Sequence, residues 1–423
     1  MNAANAIFAI LALLSLALSL WQWLAARRFP LHRRVAENDF APAISLLKPL
    51  KGCDDTTAES LQSWFNQHYS GPTQILFGVA DADDPVCKIV QEIIARNPKR
   101  DAQLVVCEKL IGANAKVAKL AQLEKLAKHN LILVSDADVR VQADFLANIV
   151  ATLGAPASCR RVTEKLAGRM PALPEHEEIG LVNCFYRLAN PSTVAMRWEA
   201  VAINADFWSQ VLQSRSLKPL DFALGAAILM RQNALAEIGG FQSLADCLAD
   251  DYQLGHRIAK NGHRIALCPV VAECWDEPKS WCDVWKHQLR WARTIRVCQP
   301  LPYFFSILSN VGFWAMLWFL ISLPEITVQS TKFAFGIDFV ISGSVSLPAG
   351  VIMPVICCLI RMIVAFDLQK QLTRSTAHLN YFWLVPVKDL LQAAIWFCSF
   401  TGNTVEWRGR KMKLRRDGTL QEI

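Results

Sequence analysis

Residues Asn5 to Ala26 (NAIFAILALLSLALSLWQWLAA) run without a charge. As a helix this stretch rises about 33 Å at about 1.5 Å per residue, enough to cross a hydrocarbon core of about 30 Å. Any fold this chain adopts has to let that helix leave water. Met1 to Ala4 carries no charge, so the basic n-region of a cleaved signal peptide is missing. Arg27, Arg28, Arg33 and Arg34 follow directly, and the positive-inside rule places the chain beyond them on the cytoplasmic side. Residues 1–26 read as a signal anchor.

Composition supports this when read by position. Hydrophobic residues make up 53% of the 423, high for a soluble protein, and they gather at the two ends, with a more polar middle. The net charge of +7 sits largely in two short basic runs beside apolar segments, as membrane-surface charge does. No basic motif is interleaved with aromatics, which argues against a nucleic-acid partner. The 13 cysteines are odd in number, lie in apolar stretches such as ICCLI, and show no metal-ligand spacing. They read as reduced, buried thiols.

From about Pro42 to Asp276 short apolar runs alternate with helical stretches, the pattern of an α/β sheet. The strands expected are AISLLKP, QILFGVAD, AQLVVCEKL, NLILVSDAD, IGLVNCFY and HRIALCPVV, with amphipathic helices at Asp84–Arg96 and Lys116–Lys128. Strands that stop at charged residues put them along a carboxyl edge, where open α/β sheets bind ligands. Residues 156–178 fit neither period and read as a surface insertion without catalytic duty. Beyond Arg296 the chain turns apolar again. Leu301–Leu323 and Val345–Phe366 read as spans, the second bent by Pro348 and Pro354. Residues 380–402 hold Lys388 and Asp389 and read as a re-entrant or interface-lying helix hairpin, which keeps the basic tail 403–423 cytoplasmic.

Four constellations carry candidate chemistry: Asp81, Asp83 and Asp84 after one strand; Asp136 and Asp138 after another; Asp250 and Asp251 opening a helix; and HQLRW, His287 to Trp291. Each has a plain reading, as turn, helix cap, local Asp138–Arg140 pair or solvated helix face. Taken in order they fit one mechanism. A strand-end Asp81, with Asp83 beside it, can take a nucleoside's N–H or hydroxyls. A D-x-D pair offers hard oxygens to Mg2+ or Mn2+ on a diphosphate. A third acid can deprotonate a hydroxyl, and an Arg–Trp pair can hold phosphate and shape an acceptor pocket.

With SLLKPLKG, GANAKVAKL, SDADVRV and ADDYQLG also in place, the chain resembles the ceramide glucosyltransferase family, a membrane branch of the GT-A glycosyltransferases with the pattern D, D, D, (Q/R)xxRW. The likeness runs from about Ile44 to Arg296. It implies a Rossmann-like GT-A cytoplasmic domain over residues 42–296, a UDP-sugar donor and a membrane-lipid acceptor such as ceramide. By position it implies Asp81 for the nucleotide, Asp136 for metal and diphosphate, and Asp251 as base with Asp250 beside it. Arg290 and Trp291 fall on the RW motif, and Lys48, Lys51 and Lys116 on basic positions near the donor. Asp138 as a metal ligand rests on D-x-D chemistry alone. His287 departs from the family's Gln or Arg, and residues 156–178 have no family counterpart.

The expected function is inverting transfer of glucose from UDP-glucose to ceramide in a bacterial inner membrane. Trp275, Trp281, Trp285 and Trp291 are expected at the headgroup level. Alternatives are N-acetylglucosamine transfer to a hopanoid or diacylglycerol, a polymer synthase, which wants more spans, and a membrane scaffold with a degenerate transferase domain.

Overall fold

The computed structural model describes residues 3–35, 40–154, 178–334, 349–407, 410–415 and 417–422. An eight-stranded mixed sheet organises the middle of the chain, in the order β3-β2-β1-β4-β7-β6-β8-β5. Its strands are β1 (Ile44–Pro49), β2 (Thr73–Val79), β3 (Asp101–Val106), β4 (Leu131–Ser135), β5 (Val139–Arg140), β6 (Ile179–Leu188), β7 (Ala227–Arg231) and β8 (Arg264–Cys274). β1 is parallel to β2 and β4, and β2 to β3. β7 enters antiparallel to β4 and β6, while β6 and β8 are parallel.

This topology decides where the acids go. The carboxyl ends of β1, β2, β4, β6 and β8 share one edge with the amino end of β7. Residues that follow the first five strands, and those that precede β7, therefore converge there. Buried side chains fill both faces of the central strands, which is why β1 and β4 read as unbroken apolar runs. Pro269 lies in β8 where the pairing jumps from Cys184–Cys268 to Phe185–Val271. A residue with no N–H belongs at such a bulge. Its carbonyl accepts from His32 N–H at 2.7 Å, tying the chain after the first helix to the sheet.

Several boundaries differ from expectation. The Asp84–Arg96 helix begins at Val86, because the Asp84 carboxylate accepts from the N–H groups of Val86 and Gly52 and so sits in the turn. The next helix is Ala115–Glu124, capped by Asn114, whose side chain accepts from Lys116 and Val117 N–H. β3 stops at Val106. β7, and the helices Val194–Val201 and Trp208–Leu217 joined through a π-helical turn at Ala202–Phe207, were not expected. Residues 156–177 lie outside the described residues. Cys53 and Cys282 stand exposed, not buried, because a turn and the outer face of a helix carry them.

Among the described residues two helices, Ala3–Arg28 and Gly350–Thr373, are long and apolar enough to cross a membrane. The segment read as one span at Leu301–Leu323 is a bent pair, Pro300–Ser309 and Val311–Leu323, with 52° between them. Val345 to Pro348 fall outside the described residues, and Pro354 lies inside its helix. Leu384–Ser399 is a 16-residue helix, about 24 Å long, short of a hydrocarbon core of about 30 Å. Its Lys388 and Asp389 are buried with Arg361 of the Ala349–Thr373 helix and Asp206 of the π-helical turn. Arg361 donates to both Asp206 oxygens at 2.9 Å and to Asp389 at 3.0 Å, and Lys388 pairs with Asp206. This fourfold ion cluster ties the apolar helices to the sheet domain.

The segment read as a basic tail folds into a small antiparallel sheet, β9 (Thr404–Trp407), β10 (Arg410–Leu414) and β11 (Leu420–Glu422). Its apolar side chains, Val405, Met412, Leu414 and Leu420, pack with Leu248. Leu420 N–H donates to Asp246 O at 2.7 Å, and Lys286 pairs with Glu406. It therefore braces the loop before Asp250 against the Trp281–Cys298 helix.

Candidate active site

β4 delivers Asp136 and Asp138 to the carboxyl edge. Asp136 N–H donates to Ala226 O at 3.2 Å and Asp138 O accepts from Trp275 N–H at 3.0 Å, so the turn is pinned from both sides. The Asp136 carboxylate, about a third exposed, is 2.7 Å from Lys116 Nζ. The same ammonium lies 3.1 Å from Asp250. Between two carboxylates it is held well above the usual lysine range, although burial alone would lower it. Lys116 sits in the first turn of its helix, and Asn114, which caps that helix, also donates to Cys247 O at 2.8 Å beside Asp250.

Asp138 is pushed up to about 7 by burial first, then by Asp136 and Asp276. The Arg140 partner that a local ion pair would supply goes elsewhere, to Glu59 at 2.8 Å and over the Trp275 ring. A half-enclosed carboxylate raised by its neighbours is one whose ionisation a cation would relieve. Among the described residues no group of three or more His, Cys, Asp or Glu is placed to hold a metal by itself. Two carboxylates are what Mg2+ or Mn2+ takes from a protein when water and substrate phosphates supply the rest, so Asp136 and Asp138 fit such an ion.

Asp251 stands apart from its neighbour. Among the described residues no lysine or arginine pairs with it, whereas Asp250 has Lys116. Burial, then the Asp250 charge, raises the Asp251 carboxyl to about 6. Its oxygen lies where a side chain on Gly225, just before β7, would sit: a Cβ there would be 2.7 Å from Asp251 Oδ2. An alanine there would require the Asp251 carboxylate to turn aside.

Lys48 requires a correction. Expected near donor phosphates, it is fully buried. Its ammonium donates to Ser135 Oγ at 3.2 Å and Asp136 O at 2.7 Å and lies over the Trp64 ring. Burial lowers it to about 7. It supports the Asp136 turn from beneath and does not face a ligand. Lys51, by contrast, is exposed in the turn after β1, and Asp81 and Asp83 are exposed after β2, with Asp83 N–H donating to the Asp81 carboxylate.

The HQLRW residues lie on the Trp281–Cys298 helix, started by a Ser280–Asp283 capping box. His287 Nδ1 is 2.6 Å from Glu199, and Gln288 donates to the same Glu199 oxygen at 2.8 Å. Trp291 packs against the His287 ring at 4.8 Å and Phe207 at 6.1 Å, and Phe207 packs against Tyr186 at 5.4 Å. Arg290 is half-buried on the same helix. The four tryptophans do not form one set. Trp281 is exposed and packs on Trp198, Trp285 joins the core beneath the apolar helices, and Trp275 turns back to Glu273 and Asp138. Tyr186 and Glu199 carry no local sequence signal, since their partners come from distant helices.

A mixed sheet that gathers these acids at one edge is that of a GT-A glycosyltransferase. The chain belongs to glycosyl transferase family 21, whose model matches residues 7–164 and 157–420, in agreement with the resemblance drawn from its motifs. It is similar to ceramide glucosyltransferase 3 of Caenorhabditis elegans, 24% identical over 58% of this chain and 48% of that protein. It is also similar to the ceramide glucosyltransferase of Candida albicans, 32% identical over 28% of this chain and 24% of that protein. The chain thus spans about half or less of the length of these relatives. Among solved structures it is similar to the mannosyltransferase PcManGT of Pyrobaculum calidifontis in complex with GDP-Man and Mn2+, at 17% identity and a TM-score of 0.46, over 92% of this chain and 99% of that one.

Proposed function

We propose that this protein is an inverting lipid glycosyltransferase that moves glucose from UDP-glucose to the primary hydroxyl of ceramide or a similar membrane lipid. The observation that carries this reading is the division of labour between Asp250 and Asp251, one paired with Lys116 and the other without a lysine or arginine partner among the described residues and raised to about 6. A carboxylate in that range is suited to take a hydroxyl proton near neutral pH.

Asp251 removes the proton as the acceptor oxygen attacks the anomeric carbon. The bond from that carbon to the diphosphate breaks on the opposite face, and its electron pair leaves with UDP. A divalent cation held by Asp136 and Asp138 supplies charge for the diphosphate when bound. Lys116 holds Asp136 and Asp250 in place, and Asp81 with Asp83 is assigned to the nucleoside. The lipid acceptor is supported by the apolar helices beside the site and by the names of the relatives. Arg27, Arg28, Arg33 and Arg34 favour a cytoplasmic site at a bacterial inner membrane.

The test incubates membranes holding the protein with radiolabelled UDP-glucose, or in parallel UDP-N-acetylglucosamine, and ceramide, diacylglycerol or total lipid extract. Label in glucosylceramide is the expected product. Label in a polymer, or in no lipid, contradicts the proposal.

A further inference from the structure

The last turns of the Ala3–Arg28 helix do not stand alone. The Trp208–Leu217 helix lies against them: Gln22 donates to Gln213 Oε1 at 3.1 Å, and Gln213 donates to Leu18 O at 3.4 Å. Beside these bonds the two segments enclose a cleft, lined by Trp21, Arg28, Phe29, Leu212, Arg215 and Ser216 among others.

The charges lining this cleft are of one sign. Arg27 and Arg28 end the anchor together, yet they are used differently. Arg27 donates to the Asp367 carboxylate at 2.9 Å, whereas Arg28 is exposed and has no acidic partner among the described residues. The Arg215 guanidinium lies over the ring of the buried Phe29, 5.6 Å from its centre. No Asp or Glu occurs in the Trp208–Leu217 helix, and Asp221, beyond its end, pairs with Lys218. The Ser216 hydroxyl donates to Gln213 O at 2.6 Å. Two guanidinium groups therefore line the cleft with no carboxylate beside them.

Depth along the anchor sets the shape of what would fit. Arg28 ends the helix, at the level where a span meets headgroups. Trp21 lies two turns deeper, about 10 Å, and is partly exposed. Leu212 adjoins Gln213, which is bonded to Leu18 and Gln22 at that deeper level. The cleft is cationic at its headgroup end and apolar towards the bilayer. A free anion would use only the first end; an amphiphile with an anionic head uses both.

We propose that this cleft binds one anionic phospholipid, its phosphate between Arg28 and Arg215 and an acyl chain along Trp21 and Leu212. Guanidinium groups suit phosphate oxygens, and anionic lipids are drawn to basic residues beside a span. The inference rests on Ala3–Arg28 crossing the membrane and is independent of the transfer reaction.

The test titrates full-length protein in an uncharged detergent with fluorescent phosphatidylglycerol, and separately with phosphatidylcholine of the same chains, with inorganic phosphate as competitor. It compares wild type with Arg28→Gln, the double variant Arg28→Gln with Arg215→Gln, and Arg33→Gln, which removes an exposed charge of the same basic run outside the cleft. Wild type should bind phosphatidylglycerol at least tenfold tighter than phosphatidylcholine. Arg28→Gln should weaken phosphatidylglycerol about fivefold and the double variant at least tenfold, while Arg33→Gln moves it less than twofold. An equal loss in Arg28→Gln and Arg33→Gln overturns the inference in favour of a diffuse basic surface. Equal affinity for the two lipids overturns it in favour of an uncharged groove. Displacement of the lipid by inorganic phosphate at concentrations comparable to the lipid's own overturns it in favour of a free-anion site. Should the double variant fail to fold, Arg28→Gln against Arg33→Gln decides by the same criterion.

Discussion

Replacing Lys116 by methionine removes the ammonium that bridges Asp136 at 2.7 Å and Asp250 at 3.1 Å. At an effective dielectric of about 20 each contact has a gross Coulomb energy of about 5 to 6 kcal/mol, most of it offset by the cost of desolvating the ammonium. Removing one partner of a buried pair has a net cost of about 3–5 kcal/mol. Asp136 is about a third exposed, so solvent screens part of the loss and the lower end, about 3 kcal/mol, applies. Methionine retains the apolar stem, which keeps packing out of the comparison. At roughly 2–4 °C per kcal/mol for a domain of this size, the melting midpoint should fall by roughly 6–12 °C. The assay is thermal melting of detergent-purified full-length protein without nucleotide. The sign with pH follows from a raised lysine: its stabilisation is present throughout neutral pH and is lost only above the lysine range. A midpoint within about 2 °C of wild type at pH 7 would refute the claim that Lys116 holds the two carboxylates together.

The pH profile offers a second check. Asp251, raised to about 6, is protonated below that value, so kcat/KM should climb as pH rises through about 6. Its contribution to stability has the opposite sign, present below about pH 4 and lost as pH rises towards 6. Asp250→Asn removes a charge that raises Asp251, so the ascending limb should move to lower pH, and an unmoved limb would disconnect the two acids. Gly225→Ala places a Cβ 2.7 Å from Asp251 Oδ2 and should cut kcat at least tenfold with UDP affinity unchanged, as read by steady-state kinetics and calorimetry. Arg361→Leu leaves Asp206 and Asp389 buried with Lys388 alone, at a cost of about 3–5 kcal/mol, visible as faster proteolysis of the purified protein.

The acids were legible because each apolar strand run stops abruptly at them. β2 ends before Asp81 and β4 before Asp136, and parallel neighbours carry those ends to one edge. β7 was not legible, since AILMR is short, lacks alternation and lies among helices. In β10 the alternation of Lys411, Met412, Lys413 and Leu414 is a strand signal, but the surrounding charge masked it as a tail. Lys48 looked like a ligand for phosphate because sequence gives no sign of which way a strand residue points when both faces are buried. Glu199 was invisible for a simpler reason: a lone acid on a helix says nothing until a partner 88 residues away is folded against it.

The central claim is that Asp251 takes the acceptor proton. Asp251→Asn in the full-length protein, measured by single-turnover transfer from radiolabelled UDP-glucose alongside calorimetry of UDP binding, tests it most directly. The account predicts transfer at least a thousandfold slower with UDP affinity within about twofold of wild type, and transfer close to the wild-type rate would contradict it.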